Sequence, residues 1–175
     1  MSEIRLVVGL GNPGKAYTFT RHNIGRRVLE TLEADPPAGV FLLAPDSFMN
    51  VSGLPVAEML RRKGLTPPQL LVVVDDFELP LGILRLRPSG SSGGHNGLKS
   101  VFEALGTQDV PRLRIGIGPV PEGDDPADFV LRAFSGAEKT KISESVLPRA
   151  AACVRRVIEA NVETAMNEFN NKPLP

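Results

Sequence analysis

The sequence predicts an α/β fold: a single three-layer domain, residues 1–175, with a mostly parallel twisted sheet flanked by helices. Three observations carry that expectation. Strand-like runs alternate with helical periodicities along the chain, without internal repeat or linker, as crossover helices between parallel strands require. Leu70 to Val74 is a continuous apolar run, the mark of a strand covered on both faces. The 175 residues, against about 150 per domain, amount to one domain, and 42% hydrophobic with 23% charged residues is an ordinary globular composition that excludes disordered and fibrous classes.

The elements follow in order. Ile4 to Leu10 is a β-rich run that ends in the rigid turn Gly9-Leu10-Gly11-Asn12-Pro13-Gly14. Ile24, Val28, Leu29 and Leu32 recur at helical spacing, which predicts an amphipathic helix from about Arg21 to Ala34, stopped by Asp35-Pro36-Pro37. Val40 to Ala44 is expected to be a short buried strand, and Val56, Ala57, Met59 and Leu60 a second helix that ends at Gly64. The apolar strand from Leu70 is expected to stop at Asp75-Asp76, and Ile83, Leu84 and Leu86 alternate with Arg85 and Arg87 in a further strand. Leu98, Val101, Phe102 and Leu105 make a third helix, closed by Gly106. Leu113, Ile115 and Ile117 alternate with Arg112, Arg114 and Gly116, a strand with one polar face. Residues 119–128 read as an acidic, Pro-rich loop. Ser135 to Glu138 is a capping box that opens a long helix through Ile158, bent at Pro148, and Val162, Ala165, Met166 and Phe169 form a last one.

Charge and cysteine content narrow the function. Lys plus Arg equals Asp plus Glu, 20 against 20, yet the cations cluster, at Arg21, Arg26 and Arg27, at Arg61, Arg62 and Lys63, at Arg85 and Arg87, and at Arg112 and Arg114. Each cluster alone is read first as a solvated face. One cysteine, Cys153, cannot form an internal disulfide, and no apolar run approaches the ~20 residues of a membrane helix. The opening residues enter a strand without a charged leader and cleavage site, so a cytoplasmic location without membrane contact is expected.

Two formal motifs fail on context. Gly9 to Gly14 satisfies G-x-G-x-x-G after a strand, but Pro13 fixes the backbone and helical periodicity begins only near Arg21, so no helix N-terminus is offered to a pyrophosphate. Gly90-Ser91-Ser92-Gly93-Gly94 satisfies G-x-S-x-G, but the only later histidine is His95, with no acid between. A zinc centre would need more ligands than one Cys and two separated His supply, so no metal is expected. What remains is a set of polar residues at strand ends, where ligands bind in open α/β sheets: Asn12, Asn50, Asp75, His95 and Asn96. His22, like His95, is followed by Asn and lies off any apolar helix stripe, a context that suits an exposed functional ring. Imidazole suits proton transfer near neutrality, a carboxylate can orient it, and amides suit a peptide or an ester carbonyl.

These residues lie in longer motifs: Val7-Val8-Gly9-Leu10-Gly11-Asn12-Pro13-Gly14, then Tyr17 with Thr20-Arg21-His22-Asn23, then Phe48-Met49-Asn50-Val51-Ser52-Gly53. Asp75-Asp76-Phe77-Glu78-Leu79-Pro80, Gly93-Gly94-His95-Asn96-Gly97-Leu98 and Arg112-Leu113-Arg114-Ile115-Gly116-Ile117-Gly118 follow in the same order. Together they resemble the bacterial peptidyl-tRNA hydrolase family over most of the chain.

That resemblance implies a cofactor-free, monomeric esterase that cleaves peptidyl-tRNA, freeing the tRNA for reuse. Carried onto this chain it makes His22 the base that activates water, Asp75 the carboxylate that orients it, and Asn12 a ligand of the attacked carbonyl or the water. Tyr17, Met49, Asn50, His95 and Asn96 become substrate-binding residues, and Arg85, Arg87 and Arg114 tRNA-phosphate contacts. Two departures accompany it. Family members usually carry about a hairpin more between the first helix and Phe48, so this chain has either a trimmed sheet edge or residues missing from a continuous numbering. They are also often basic, whereas this chain is neutral. The alternatives are a non-catalytic RNA-binding relative, against which the joint presence of Asn12, His22, Asp75 and Asn96 argues, and a serine esterase acting through Ser92.

Overall fold

The computed structural model describes residues 3–175. β1 (Leu6–Gly9), β2 (Phe41–Leu43), β3 (Leu70–Pro80), β4 (Leu84–Arg87) and β5 (Arg112–Gly118) form one sheet in the order β2-β1-β3-β5-β4. All pairings are parallel except the last, in which β4 runs antiparallel to β5. The side-chain alternation of the strands feeds two cores. Val7, Leu71, Val73, Leu113 and Ile115 face α1 (Ile24–Glu33), α6 (Leu147–Glu159) and α7 (Val162–Phe169), while Leu6, Val8, Leu70, Val72 and Val74 face α2 (Gly53–Lys63) and α3 (Asn96–Leu105). This is the three-layer, mostly parallel architecture that the alternation of strands and helices predicts. Among the described residues no helix is long and apolar enough to cross a membrane.

Several local expectations need correction. β3 does not stop at Asp75-Asp76: both residues remain in register with Ile115 and Gly116 of β5, and the ladder is irregular only between Asp76 and Pro80. A buried aspartate is tolerated inside a strand because two histidines bond it. Val40 to Ala44 contributes an edge strand, not a buried one: β2 has a single neighbour, and Phe41 is exposed with the Lys63 ammonium 4.2 Å above its ring. The polar face of β5 is not wholly solvated, because Arg112 is buried, its guanidinium donating to the carbonyls of Val110, Gly90, Ser91 and Gln108.

The acidic loop contains a short helix, α4 (Pro126–Val130), capped by the Asp125 side chain and begun by Pro126. The capping box forms as expected on Ser135 and Glu138 and opens α5 (Gly136–Lys141). The irregularity lies one turn before Pro148, as a π-helical turn over Ile142–Val146 that runs into α6. Proline has no N–H to give and its ring crowds the carbonyl four residues back, so the preceding turn widens. After α7 the Asn170 side chain accepts from Leu86 N–H and donates to Leu86 C=O, filling the outer edge of β4.

Candidate active site

Close backbone approach sets the site. A Cβ on Gly25 would lie 2.2 Å from Val73 O, and one on Gly9 would lie 2.3 Å from Gly25 O, so α1 crosses β1 and β3 at a separation only glycine allows. The 3-10 turn Arg21–Asn23 that precedes α1 is thereby set over the C-terminal half of β3. Arg21 fastens it from the other side. Its guanidinium donates to Ala133 O, pairs with Glu138 at 2.9 Å and lies over the rings of Phe129 and Phe134.

Between these anchors three polar groups meet. His22 Nδ1 lies 2.8 and 2.9 Å from the two oxygens of Asp75, and His95 Nε2 lies 2.9 Å from Asp75 Oδ1. Burial opposes the charge of Asp75, but the positive charge His22 and His95 carry when protonated, and the hydrogen bonds they donate, more than offset it and hold the carboxyl well below the usual carboxylate range. An ionised carboxylate only accepts, so His22 Nδ1 carries the proton and Nε2 of the neutral ring keeps its lone pair. One ligand-type atom from each of the three side chains lies within 4.8 Å of the others, a closeness that hydrogen bonding alone explains.

Asn12 follows β1 and is held by a residue that sequence reading did not single out. Asn23 accepts from Asn12 N–H at 2.8 Å and donates to Asn12 C=O at 2.9 Å. The Asn12 Oδ1 in turn accepts from Met49 N–H at 2.8 Å, which fixes the amide so that its NH2 end is the part left for a ligand. Asn12, His22, Met49, Asn50 and Asn96 line one cavity of about 240 Å³, together with α4 residues Ala127 and Val130 and their neighbour Leu131. Asn50 and Asn96 are both exposed, on the turn before α2 and at the first residue of α3. Their spacing is set where α2 and α3 touch, since a Cβ on Gly53 would lie 2.1 Å from Ser100 O. Tyr17 stands beside this cavity rather than in its lining, edge-on to Phe48 at 6.3 Å.

On the other side of the histidines a second cavity of about 300 Å³ is lined by Asp76, Phe77, Glu78, Gly93, Gly94, Arg114 and Asp125, and shares His22, Asn96, Ala127 and Val130 with the first. Arg114 lies 3.7 Å from Asp76 and donates to Ser91 O. Cross-strand register sets Arg85 opposite Arg114 and Arg87 opposite Arg112, so four guanidinium side chains share one face of the β4–β5 ribbon. Arg112 is consumed by the surrounding carbonyls, and burial, with Arg114 beside it, lowers its pKa to about 10. Arg85 and Arg87 line neither cavity but adjoin Arg114 on the edge strand.

Neither formal motif takes the arrangement its own chemistry needs. The turn after β1 leads into the 3-10 turn Lys15–Tyr17, not an α-helix. Ser92 Oγ accepts from Gly94 N–H within its own turn, and among the described residues no histidine bonds it. A carboxylate-bound imidazole at the strand ends of an open α/β sheet, faced by the fixed Asn12 amide, suits an enzyme that adds water to a carbonyl.

Comparison with known proteins gives the family. The family model for peptidyl-tRNA hydrolase matches residues 6–38 and 33–175, two stretches that meet where the segment after α1 is short. The peptidyl-tRNA hydrolase of Methylacidiphilum infernorum is 43% identical, covering 97% of this chain and 100% of its own, and that of Aquifex aeolicus is 43% identical over 98% and 99%. The crystal structure of peptidyl-tRNA hydrolase from Acinetobacter baumannii superposes with a TM-score of 0.87 at 32% identity, covering 98% of this chain and 96% of that one. The chain belongs to the peptidyl-tRNA hydrolase family, enzymes that hydrolyse an ester bond. The alignment with the Methylacidiphilum protein runs over 187 positions, more than the 175 of this chain.

Proposed function

We propose that the protein hydrolyses the ester bond of peptidyl-tRNA, with water activated by His22, releasing free tRNA and peptide during translation in the cytoplasm. It acts as a monomer and without cofactor. The observation that carries this reading is the His22–Asp75 pair, whose proton lies on Nδ1 and whose Nε2 lone pair is available at a cavity lined by Asn12, Asn50 and Asn96. The two cavities meet at His22 and Asn96, an arrangement that suits an ester with peptide on one side and tRNA on the other. Water attacks the ester carbonyl as Nε2 takes its proton, the Asn12 amide, aimed by Met49 and Asn23, donates to the developing oxyanion, and as the ester C–O bond breaks Nε2 returns that proton to the departing tRNA oxygen. The test is cleavage of N-blocked aminoacyl-tRNA by the purified protein, with a chelator expected to leave the rate unchanged. No release of tRNA would overturn the assignment.

Arg85, Arg87 and Arg114 contribute tRNA affinity through phosphate. Like charges directly opposite on a ribbon are unfavourable alone, and a polyanion laid across them relieves that repulsion. Changing any one of the three to Ala should raise KM and reduce the slope of log K against log salt by about 0.7 to 0.9. Unchanged slopes in all three variants would place the tRNA elsewhere.

Asn50 and Asn96 select peptidyl-tRNA over aminoacyl-tRNA. Their amides pair with the N–H and C=O of a peptide, groups that a lone amino acid with a free ammonium does not present. Once substrate covers them, an unpaired amide costs ~1–3 kcal/mol. Asn50→Ala or Asn96→Ala should therefore cut kcat/KM for the N-blocked substrate and narrow its advantage over the free one by roughly tenfold. Measuring kcat/KM on both substrates checks this, and an unchanged ratio would assign selectivity to other contacts.

A further inference from the structure

His95 has no free ring nitrogen. Its Nδ1 accepts from Leu98 N–H at 3.2 Å and so caps α3, while its Nε2 meets Asp75 Oδ1 at 2.9 Å. A donor on one side and an acceptor-only carboxylate on the other admit a single arrangement: a neutral ring with its proton on Nε2. The opposite tautomer would set N–H against N–H and a lone pair against the carboxylate. An imidazolium would set its Nδ1 proton against the Leu98 amide.

We propose that His95 is a positioning residue, fixed in its Nε2–H form by the N-terminus of α3, whose hydrogen bond to Asp75 tempers the hold of that carboxylate on His22. The inference rests on His22 being the base. Other ionisable groups surround the ring: His22 at a centroid distance of 5.1 Å, Asp75 below it, and Asp76, Glu78, Arg114 and Asp125 around the shared cavity. Among the described residues, only Asp75 hydrogen-bonds its Nε2. Two histidines on one carboxylate would ordinarily compete for a second proton and titrate as a coupled pair. With both His95 nitrogens engaged, Nε2 of His22 is the imidazole lone pair of the cluster left facing the cavity.

Two measurements test this. In 15N-labelled protein, long-range nitrogen–proton correlation spectra should give His95 the Nε2-protonated pattern and hold it there through neutrality, while His22 titrates. An Nδ1-protonated pattern, or a His95 that titrates alongside His22, would overturn the proposal. His95→Asn retains a good capping oxygen for Leu98 N–H but is too short to reach Asp75. Its melting temperature should stay near that of the parent, and its ascending limb of kcat/KM should move to higher pH by about half a unit or more, because Asp75, relieved of one donor, holds a protonated His22 more strongly. His95→Ala loses the cap as well and should melt lower. A limb in His95→Asn that coincides with the parent's would show that the bond to Asp75 does nothing for His22. The spectra need no turnover, so failure of His22 as base would leave the tautomer decided separately.

Discussion

Replacing His22 by Ala is expected to lower kcat by about 10²- to 10⁴-fold, with tRNA affinity and melting temperature nearly unchanged. The effect is confined to chemistry because of where the ring sits. Its side chain is 14% exposed at a junction of cavities, outside both apolar cores, and the turn that carries it is held by Arg21 and Asn23 rather than by the imidazole. Removing it takes away the proton acceptor and leaves Asp75 still bonded to His95. The parent enzyme should show a rising limb near neutrality that the His22→Ala variant lacks. Asp75 cannot supply that limb, since its carboxyl is held below the usual range and is ionised throughout. A variant that kept most of the parent kcat would sink the assignment of the base.

Asp75→Asn should be of similar size, approaching about 10⁴-fold in kcat. An amide in place of the carboxylate can present its NH2 to His22 Nδ1, which moves the imidazole proton to Nε2 and removes the lone pair that faces the cavity. It also offers a single acceptor where His22 and His95 now share two oxygens. The stability of the two proteins should diverge with pH in a definite sense. A carboxyl whose folded pKa is depressed stabilises the fold fully above the ordinary carboxylate range and loses that contribution as pH falls through its folded value. Melting temperature should therefore drop in acid for the parent and change less over the same window for Asp75→Asn. Parallel curves would mean that ionisation of Asp75 contributes nothing to stability.

The sequence was most readable where local chemistry and tertiary context agree. Alternation placed β5, spacing placed α1 and α3, and the capping box placed the start of α5, because each pattern states which atoms are buried or bonded. It was least readable where a distant partner decides. Asp75-Asp76 looks like the end of a strand until two histidines, one from a turn far upstream and one from the head of α3, satisfy the carboxylate inside it. Val40 to Ala44 looks buried because its residues are apolar, yet strand order, which periodicity does not encode, put β2 at the rim. Arg112 reads like Arg114, and only the folding of the 90–91 and 108–110 segments over it separates a packed guanidinium from one that faces a cavity. α4 did leave a signal, Asp125-Pro126, a capping residue followed by the proline favoured at a first helical position. The part of Asn23 left only its place beside His22, since clamping the backbone of Asn12 is a contact between segments that no local pattern announces.

The Asn170 side chain on Leu86 sets where the sheet ends. An amide presents one N–H and one C=O in the same plane as a peptide unit, so this single residue stands in for a further strand at the middle of β4. The ribbon that bears Arg85 and Arg87 is thereby closed to pairing at Leu86, while those two side chains stay half-buried on its face. A strand from another chain would meet groups already bonded at Leu86. At that point of the rim a side chain takes up the bonds through which the sheet would otherwise grow, and the Asn171 N–H does the same for Leu84 O.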